Sequence, residues 1–238
     1  MSGGLVAILA HETGRYSEFW ECVVGLDLPD RTIVKALYGA DIAFGRNQLI
    51  EQARKHDMDW VWFLDDDQTW SDKQILHKLL ARDVDIVQPA VLRRQLPFVP
   101  VVSRLIDGKY VPLTMEELGT TGLAQVDACG MGGTLVRRKV WETIPAPWFT
   151  VGALQPDKIG EDIALTRKAT QAGLGVYVDL DNPMDHLLVA RVRPQLIDGQ
   201  WATSVVVGGL DIKAPATTKR GGSKPPASVL ANSSTGVA

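Results

Sequence analysis

The sequence has too few cysteines to be stapled by disulfides or to build a thiolate metal site. Cys22 and Cys129 are the only two, and they stand far apart. No disulfide framework and no zinc spacing can be drawn from them, so a reducing compartment is expected. It also lacks any apolar run of the roughly 20 residues that a membrane-spanning helix needs. Met1-Ser2-Gly3-Gly4 carries neither the basic start nor the apolar core of a signal peptide, and a cytoplasmic protein with no membrane partner is expected. An excess of basic charge is missing too. Twenty-five Lys and Arg face 28 Asp and Glu, for a net charge of −3, which argues against non-specific binding to nucleic acid or an anionic membrane. What is present is ordinary for a globular protein: 238 residues, 45% hydrophobic and 22% charged, enough for a sizeable core.

The order of elements reads as α/β. Leu5 to Ala10 is a compact apolar run that predicts a first buried strand. Phe19, Trp20, Val23 and Val24 at helical spacing predict a helix over 16–26. A second strand over 31–38 and a helix over 41–56 follow, then the apolar run Trp60 to Leu64. A helix from about Ser71 to Arg82 and a strand over 85–92 complete the first half. Strands alternating with helices of this length predict βαβ units and a mostly parallel sheet. The second half is mixed. Asp107-Gly108 between two apolar stretches predicts a hairpin, and Leu196-Ile197-Asp198-Gly199 repeats its four residues, which is turn chemistry or chance rather than a repeat architecture. From Lys213 on, Ala, Pro, Ser, Thr, Gly and Lys dominate. A folded domain over 1–212 with a disordered tail over 213–238 is therefore expected.

Chemistry gathers at four places. Trp60-Val61-Trp62-Phe63-Leu64 runs directly into Asp65-Asp66-Asp67. Three carboxylates cannot stay buried and unpaired, so they belong at a strand mouth, where open α/β sheets bind ligands. Such a cluster suits a hard divalent cation; the competing reading is a cap for the next helix. Gly130 to Gly133 punctuates an apolar stretch. Glu161-Asp162 opens a helix, where acids either satisfy free N–H groups and the dipole or serve as a general base. His186 is the last. Two carboxylates and an imidazole fit a divalent metal, with Mn²⁺ favoured over Mg²⁺ because it tolerates mixed oxygen and nitrogen ligation. Trp60 and Trp62 read as core, His56 and His77 as exposed, and Cys129 as a small buried hydrophobe. Trp70 and Trp148 are candidates for stacking, and Arg93 for an acidic acceptor or diphosphate.

The ordered set carries a resemblance. The D-D-D strand end, the glycine loop, Pro147-Trp148-Phe149, Gly160-Glu161-Asp162 with Leu165, Arg167 and Gly173 behind it, and the late His186 together resemble nucleotide-sugar glycosyltransferases of the glycosyltransferase-A fold. The likeness is to the family-2-like group, which includes phage-encoded members, and it covers roughly residues 5–190. It implies a Rossmann-like, mostly parallel central sheet with a mixed C-terminal half. It implies transfer of a sugar from a nucleoside diphosphate, UDP favoured, to an acceptor hydroxyl, with Asp65, Asp67 and His186 holding metal. Asp162, with Glu161 beside it, is implied as the catalytic base of an inverting reaction. His11, Thr13, Arg46, Asn47, Asp65, Gly132 and Gly133 are implied on the donor side, and Trp148 and Arg93 are assigned to the acceptor. The first strand is followed by Ala10-His11-Glu12-Thr13 rather than the family's proline-rich turn and asparagine, so the donor nucleotide is less determined than the reaction. The acceptor (protein, glycan or modified DNA base) is expected to meet residues 189–210. A sugar-phosphate nucleotidyltransferase would want a basic glycine-rich loop where His11-Glu12-Thr13-Gly14-Arg15 stands; a non-catalytic carbohydrate- or virion-associated module is the third reading.

Overall fold

A computed structural model describes residues 3–14, 16–151 and 159–215. In chain order these residues form β1 (Gly4–Ala10), α1 (Ser17–Val24), β2 (Thr32–Tyr38), α2 (Ile42–Lys55), β3 (Trp60–Asp65), β4 (Gln68–Thr69), α3 (Ile75–Ala81) and β5 (Ile86–Pro89). Then come β6 (Val102–Ile106), β7 (Lys109–Pro112), α4 (Met115–Leu118), β8 (Leu123–Gln125), β9 (Ala128–Cys129), β10 (Leu135–Arg137), α5 (Arg138–Thr143) and α6 (Glu161–Gln171). The last five strands are β11 (Val176–Asp179), β12 (Asp185–His186), β13 (Arg191–Ile197), β14 (Gln200–Val207) and β15 (Leu210–Pro215).

Seven strands form the main sheet in the order β2-β1-β3-β10-β5-β11-β8. The βαβ units expected from the first half are present: β1 pairs in parallel with both β2 and β3, and β11 pairs in parallel with β5. The sheet is not wholly parallel. β10 enters between β3 and β5 antiparallel to both, because the chain reaches it through a glycine turn and not through a crossover helix.

Side-chain alternation divides the core in two. Leu5, Ala7, Val61, Phe63 and Ile86 pack against Leu49 and Ile50 of α2, Val140 of α5 and Leu165 of α6. Val6, Ile8, Trp60, Trp62, Leu64 and Val87 pack against Phe19 of α1 and Ile75, Leu76 and Leu79 of α3. β3 is therefore apolar on both faces because both faces are covered, as its unbroken apolar run predicts. The same period of two carries on to its last residue. Asp65 follows Val61 and Phe63 onto the α2 and α6 side.

Two boundaries differ from the sequence reading. The helix expected from Ser71 begins at Ile75, since Gln68 and Thr69 are taken by pairing with Asp185 and His186. The aspartate triplet therefore leads into a strand bridge, and the helix-cap reading falls with it. β15 runs to Pro215, into the stretch expected as a tail from Lys213; the remainder of that stretch lies outside the described residues. Where one folded unit was expected up to residue 212, the chain divides into two compact units. One comprises 1–93 and 99–187, the other 94–98 and 188–238.

The second unit is a meander, β13-β14-β15. Leu96 N–H donates to Gly208 O at 3.1 Å, and the buried Ser204 hydroxyl donates to Asp211 Oδ1 at 2.6 Å. Asp107-Gly108 and Asp198-Gly199 make identical two-residue hairpins with positive φ at both positions. The type I′ turn demands that geometry, which explains the repeated tetrapeptide as shared turn chemistry.

Candidate active site

The site is built at the C-terminal end of β3. Asp65 closes the strand half-exposed, while Asp66 and Asp67 are buried in the turn that follows. Asp66 Oδ2 accepts from the His11 backbone N–H at 2.8 Å. That bond ties the loop after β1 to the end of β3 and gives Asp66 a structural role. His11 is exposed, with its Nδ1 3.0 Å from the Thr13 hydroxyl, so both donor-side candidates of this loop lie at the same strand mouth as the acids.

Asp65 and Asp67 part company. The strand ends at Asp65, alternation stops, and the two carboxylates meet different partners. Asp65 accepts from Arg46 Nη2 at 3.0 and 3.3 Å. Asp67 Oδ1 lies 3.5 Å from His186 Nε2, and His186 Nδ1 lies 2.9 Å from Leu92 O. A carbonyl can only accept, so Nδ1 carries the proton and Nε2 is turned toward Asp67. Among the described residues no group of three His, Cys, Asp or Glu is placed to hold a metal. Of the expected set of Asp65, Asp67 and His186, the fold brings Asp67 and His186 together, while Asp65 is bonded to Arg46. An imidazole fixed at Nδ1 by a backbone carbonyl is the arrangement that orients a metal-ligating histidine. One or two protein ligands completed by phosphate oxygens is also how Mg²⁺-type sites are commonly filled, so the pair fits a divalent cation shared with a diphosphate.

The glycine turn meets the same strand end. A Cβ on Gly132 would stand 2.4 Å from Gln68 Nε2 and 2.9 Å from Asp65 Oδ2, so only glycine lets this backbone pass the carboxylate. Gly133 has φ +78°, a conformation that favours glycine. Its carbonyl accepts from the Trp62 indole at 2.7 Å, which pins the turn to β3. Two residues that sequence reasoning missed complete the cradle. Gln68 and Gln88 are both 2% exposed, and Gln88 Nε2 lies 3.4 Å from Gly132 O. The signal for Gln88 was available: it is the one polar residue inside the apolar run Ile86-Val87-Gln88-Pro89.

Glu161 and Asp162 come in from α6. Glu161 Oε1 accepts from Arg46 Nη1, so one guanidinium bridges β3 and α6. Burial raises the carboxyl pKa of Glu161, against the lowering pull of Arg46. Burial likewise raises that of Asp162, opposed by the Ile163 N–H that donates to its Oδ1 at 2.7 Å. A raised pKa makes a carboxylate a better base and a proton more persistent on it. Cys129 is buried, and its thiol is pushed well above the ordinary range by that burial first and by the Asp162 charge second, which suits an inert core residue.

No family model and no curated protein matches the sequence. Among solved structures, the fold is similar to the crystal structure of A197 from STIV. The identity is 16%, the TM-score 0.51, and the match covers 94% of this chain and 98% of that one. It is also similar to the crystal structure of GalNAc-T7 with UDP, GalNAc and Mn²⁺, at 13% identity and TM-score 0.52, covering 83% of this chain and 44% of that one. The fold is glycosyltransferase-A.

Within this glycosyltransferase-A fold several expected contacts belong to the scaffold. Trp148 is 2% exposed. Its indole donates to Trp141 O and Ile144 O, each at 3.2 Å, and the Arg54 guanidinium carbon lies 5.6 Å from its ring centroid, so the ring is packed into the scaffold; Trp70 is buried as well. Asn47 spends its amide on backbone. Its Nδ2 donates to Phe149 O and Ala43 O at 2.8 Å, and its Oδ1 accepts from Phe149 N at 3.0 Å. It fastens the Pro147-Trp148-Phe149 loop to α2 and is not turned to a donor. Arg93 is exposed directly after Leu92, the residue that orients His186. A concavity of about 750 Å³ between β2, α2 and Pro147, with Asn47 and Trp148 in its lining, contains neither Asp65, Asp67, Glu161 nor Asp162. Among the described residues no helix is long and apolar enough to cross a membrane.

Proposed function

We propose that this chain is a metal-dependent glycosyltransferase that moves a sugar from a nucleoside diphosphate, UDP favoured, to an acceptor hydroxyl with inversion. The observation that carries the reading is the meeting of Asp67 with an oriented His186 at a strand mouth that also holds the glycine turn and Asp162. A divalent cation, Mn²⁺ favoured, would be held by Asp67 and His186 and would supply Lewis-acid stabilisation to the departing diphosphate. Asp162 takes the proton of the acceptor hydroxyl as its oxygen bonds to the sugar C1. The C1–O bond to the diphosphate breaks with its electron pair leaving on phosphate. Gly132 and Gly133 keep the floor of the site free of side chains, so that sugar and acceptor approach the backbone. Support from outside the chain is limited to the fold and to the UDP, GalNAc and Mn²⁺ in the GalNAc-T7 structure.

The direct test is a panel of UDP- and GDP-sugars with Mn²⁺, followed by calorimetry and by release of nucleoside diphosphate. Binding and slow hydrolysis of at least one donor are expected; neither with any donor would end the proposal. Asp67→Ala should abolish Mn²⁺-dependent donor binding while leaving the fold intact. A Kd unchanged from wild type would remove Asp67 from the site. Turnover should also fall on acidification earlier than for an ordinary aspartate base. The active form of Asp162 is the carboxylate, and its pKa is raised above the ordinary 3.8, so the acidic limb of kcat lies above that value. A limb at or below the ordinary value would count against Asp162 as the base.

A further inference from the structure

We infer that Arg46 is a positioning residue, a clamp that sets the reach between the donor side and the base side of the site, and that it does not bind the donor. The inference rests on the proposed transfer reaction for its kinetic consequence, and on geometry alone for the clamp.

Arg46 projects from the second turn of α2 and is 3% exposed. Both terminal nitrogens of its fork are taken: Nη2 by Asp65 at 3.0 Å, Nη1 by Glu161. Asp65 is 19 residues away in sequence and Glu161 is 115 away, so the guanidinium joins parts of the chain that nothing local brings together. Its carbon also lies 5.8 Å from the centroid of the Phe149 ring, the residue whose backbone Asn47 fastens to the same helix. Its Nε has no hydrogen-bond partner, but the side chain is buried and both terminal nitrogens face carboxylates, so the fork of the guanidinium is turned to Asp65 and Glu161 and not to a phosphate.

The helix it grips needs a grip. The residue before α6 is Gly160, which supplies no side-chain cap. Acids in a first turn are favoured by the helix dipole, but the dipole sets only their sign, not their direction in space. Glu161 bonded to Arg46 fixes the rotation of the first turn, and with it the direction of Asp162 one residue later. Asp65, held by the same fork, sits against Gly132. Replacing Arg46 should therefore misplace Asp162 relative to the donor without removing any donor contact. A displacement of about 1 Å costs roughly a hundredfold in rate.

Two variants test this, Arg46→Met and Arg46→Lys, with Lys keeping the charge but losing the fork. Hydrogen–deuterium exchange should show the amides of residues 162–166 opening about tenfold faster in both, while those of α3 hold their wild-type rates. UDP plus Mn²⁺ should bind within about threefold of wild type, and donor turnover should fall about a hundredfold with KM little changed. Should Arg46→Met not fold, Arg46→Lys carries the same readouts. Wild-type exchange in 162–166 overturns the clamp. So does a tenfold or greater loss of UDP affinity with α6 exchange unchanged, the signature of a donor ligand. If wild-type protein binds no nucleotide, the transfer reading fails and the exchange comparison still decides the clamp.

Discussion

Asp162→Asn should leave the protein folded and able to bind donor with Mn²⁺, yet lower turnover by about 10²- to 10⁴-fold, the usual contribution of a positioned general base. The expectation is specific because the substitution is nearly isosteric. The carboxamide oxygen can still accept the Ile163 N–H that Asp162 Oδ1 accepts at 2.7 Å, so the start of α6 should not unravel. What is lost is the ability to take a proton. Burial already disfavours the charged form of this group, so the neutral amide should be tolerated or even stabilising. Single-turnover kinetics beside calorimetry separate the two effects. Normal turnover in Asp162→Asn would show that the base is another group. Equal losses in Kd and in turnover would mean that Asp162 binds substrate and does not activate it.

Arg82→Met should cost about 3 kcal/mol of unfolding free energy, the low end of what is lost when one partner of a buried ion pair is removed. Asp179 is fully buried at the end of β11. Arg82 grips it with two bonds, Nε to Oδ2 at 2.9 Å and Nη2 to Oδ1 at 2.7 Å, and also reaches Asp181 at 2.6 Å. Those two carboxylates raise the Arg82 pKa above the ordinary arginine value. Without Arg82 the Asp179 charge remains buried with only the Asn182 amide and the Asp181 N–H to satisfy it, which keeps the cost from being larger. Arg54→Met is the control. It removes an exposed i,i+3 pair with Glu51, worth under about 0.5 kcal/mol. Urea unfolding of both variants reads the difference, and equal losses would refute the account. The consequence reaches the site, because the segment that follows β11 carries His186.

Much of this was legible in the residues. An apolar run that ends in three acids points to a doubly covered strand opening at a mouth, since burying unpaired charges is costly; Asp66 and Asp67 are nonetheless buried. The glycine turn, the acids of α6 and the late histidine could be read as an ordered set along the chain. The two Asp-Gly turns were readable because a two-residue hairpin needs positive φ and few residues accept it.

Other assignments were beyond reach for equally physical reasons. Arg46 and Asn47 are consecutive, and both were expected on the donor; one bridges Asp65 to Glu161 and the other holds Phe149, a distinction made by partners about a hundred residues away. Trp148 was expected to stack on a ligand but is buried with its indole bonded to Trp141 and Ile144. An aromatic residue looks the same in a string of letters whether it is buried or presented. Gln68 was passed over because a buried amide declares its purpose only through what it touches, whereas Gln88 stood out as a polar residue inside an apolar run.

Few cysteines, no long apolar run and no basic excess, beside strands that alternate with helices and one that ends in D-D-D, determined the class of protein: an α/β chain with polar chemistry at strand mouths. Composition and period are local quantities, and they decide burial, element type and the kind of ion a site can attract. The tertiary structure alone decided which acid serves which partner. Asp65 and Asp67 are two residues apart, but the strand ends between them. From that point their directions are set by what α2, α6 and β12 bring up against them, and pairing across the fold is not written in the spacing along the chain.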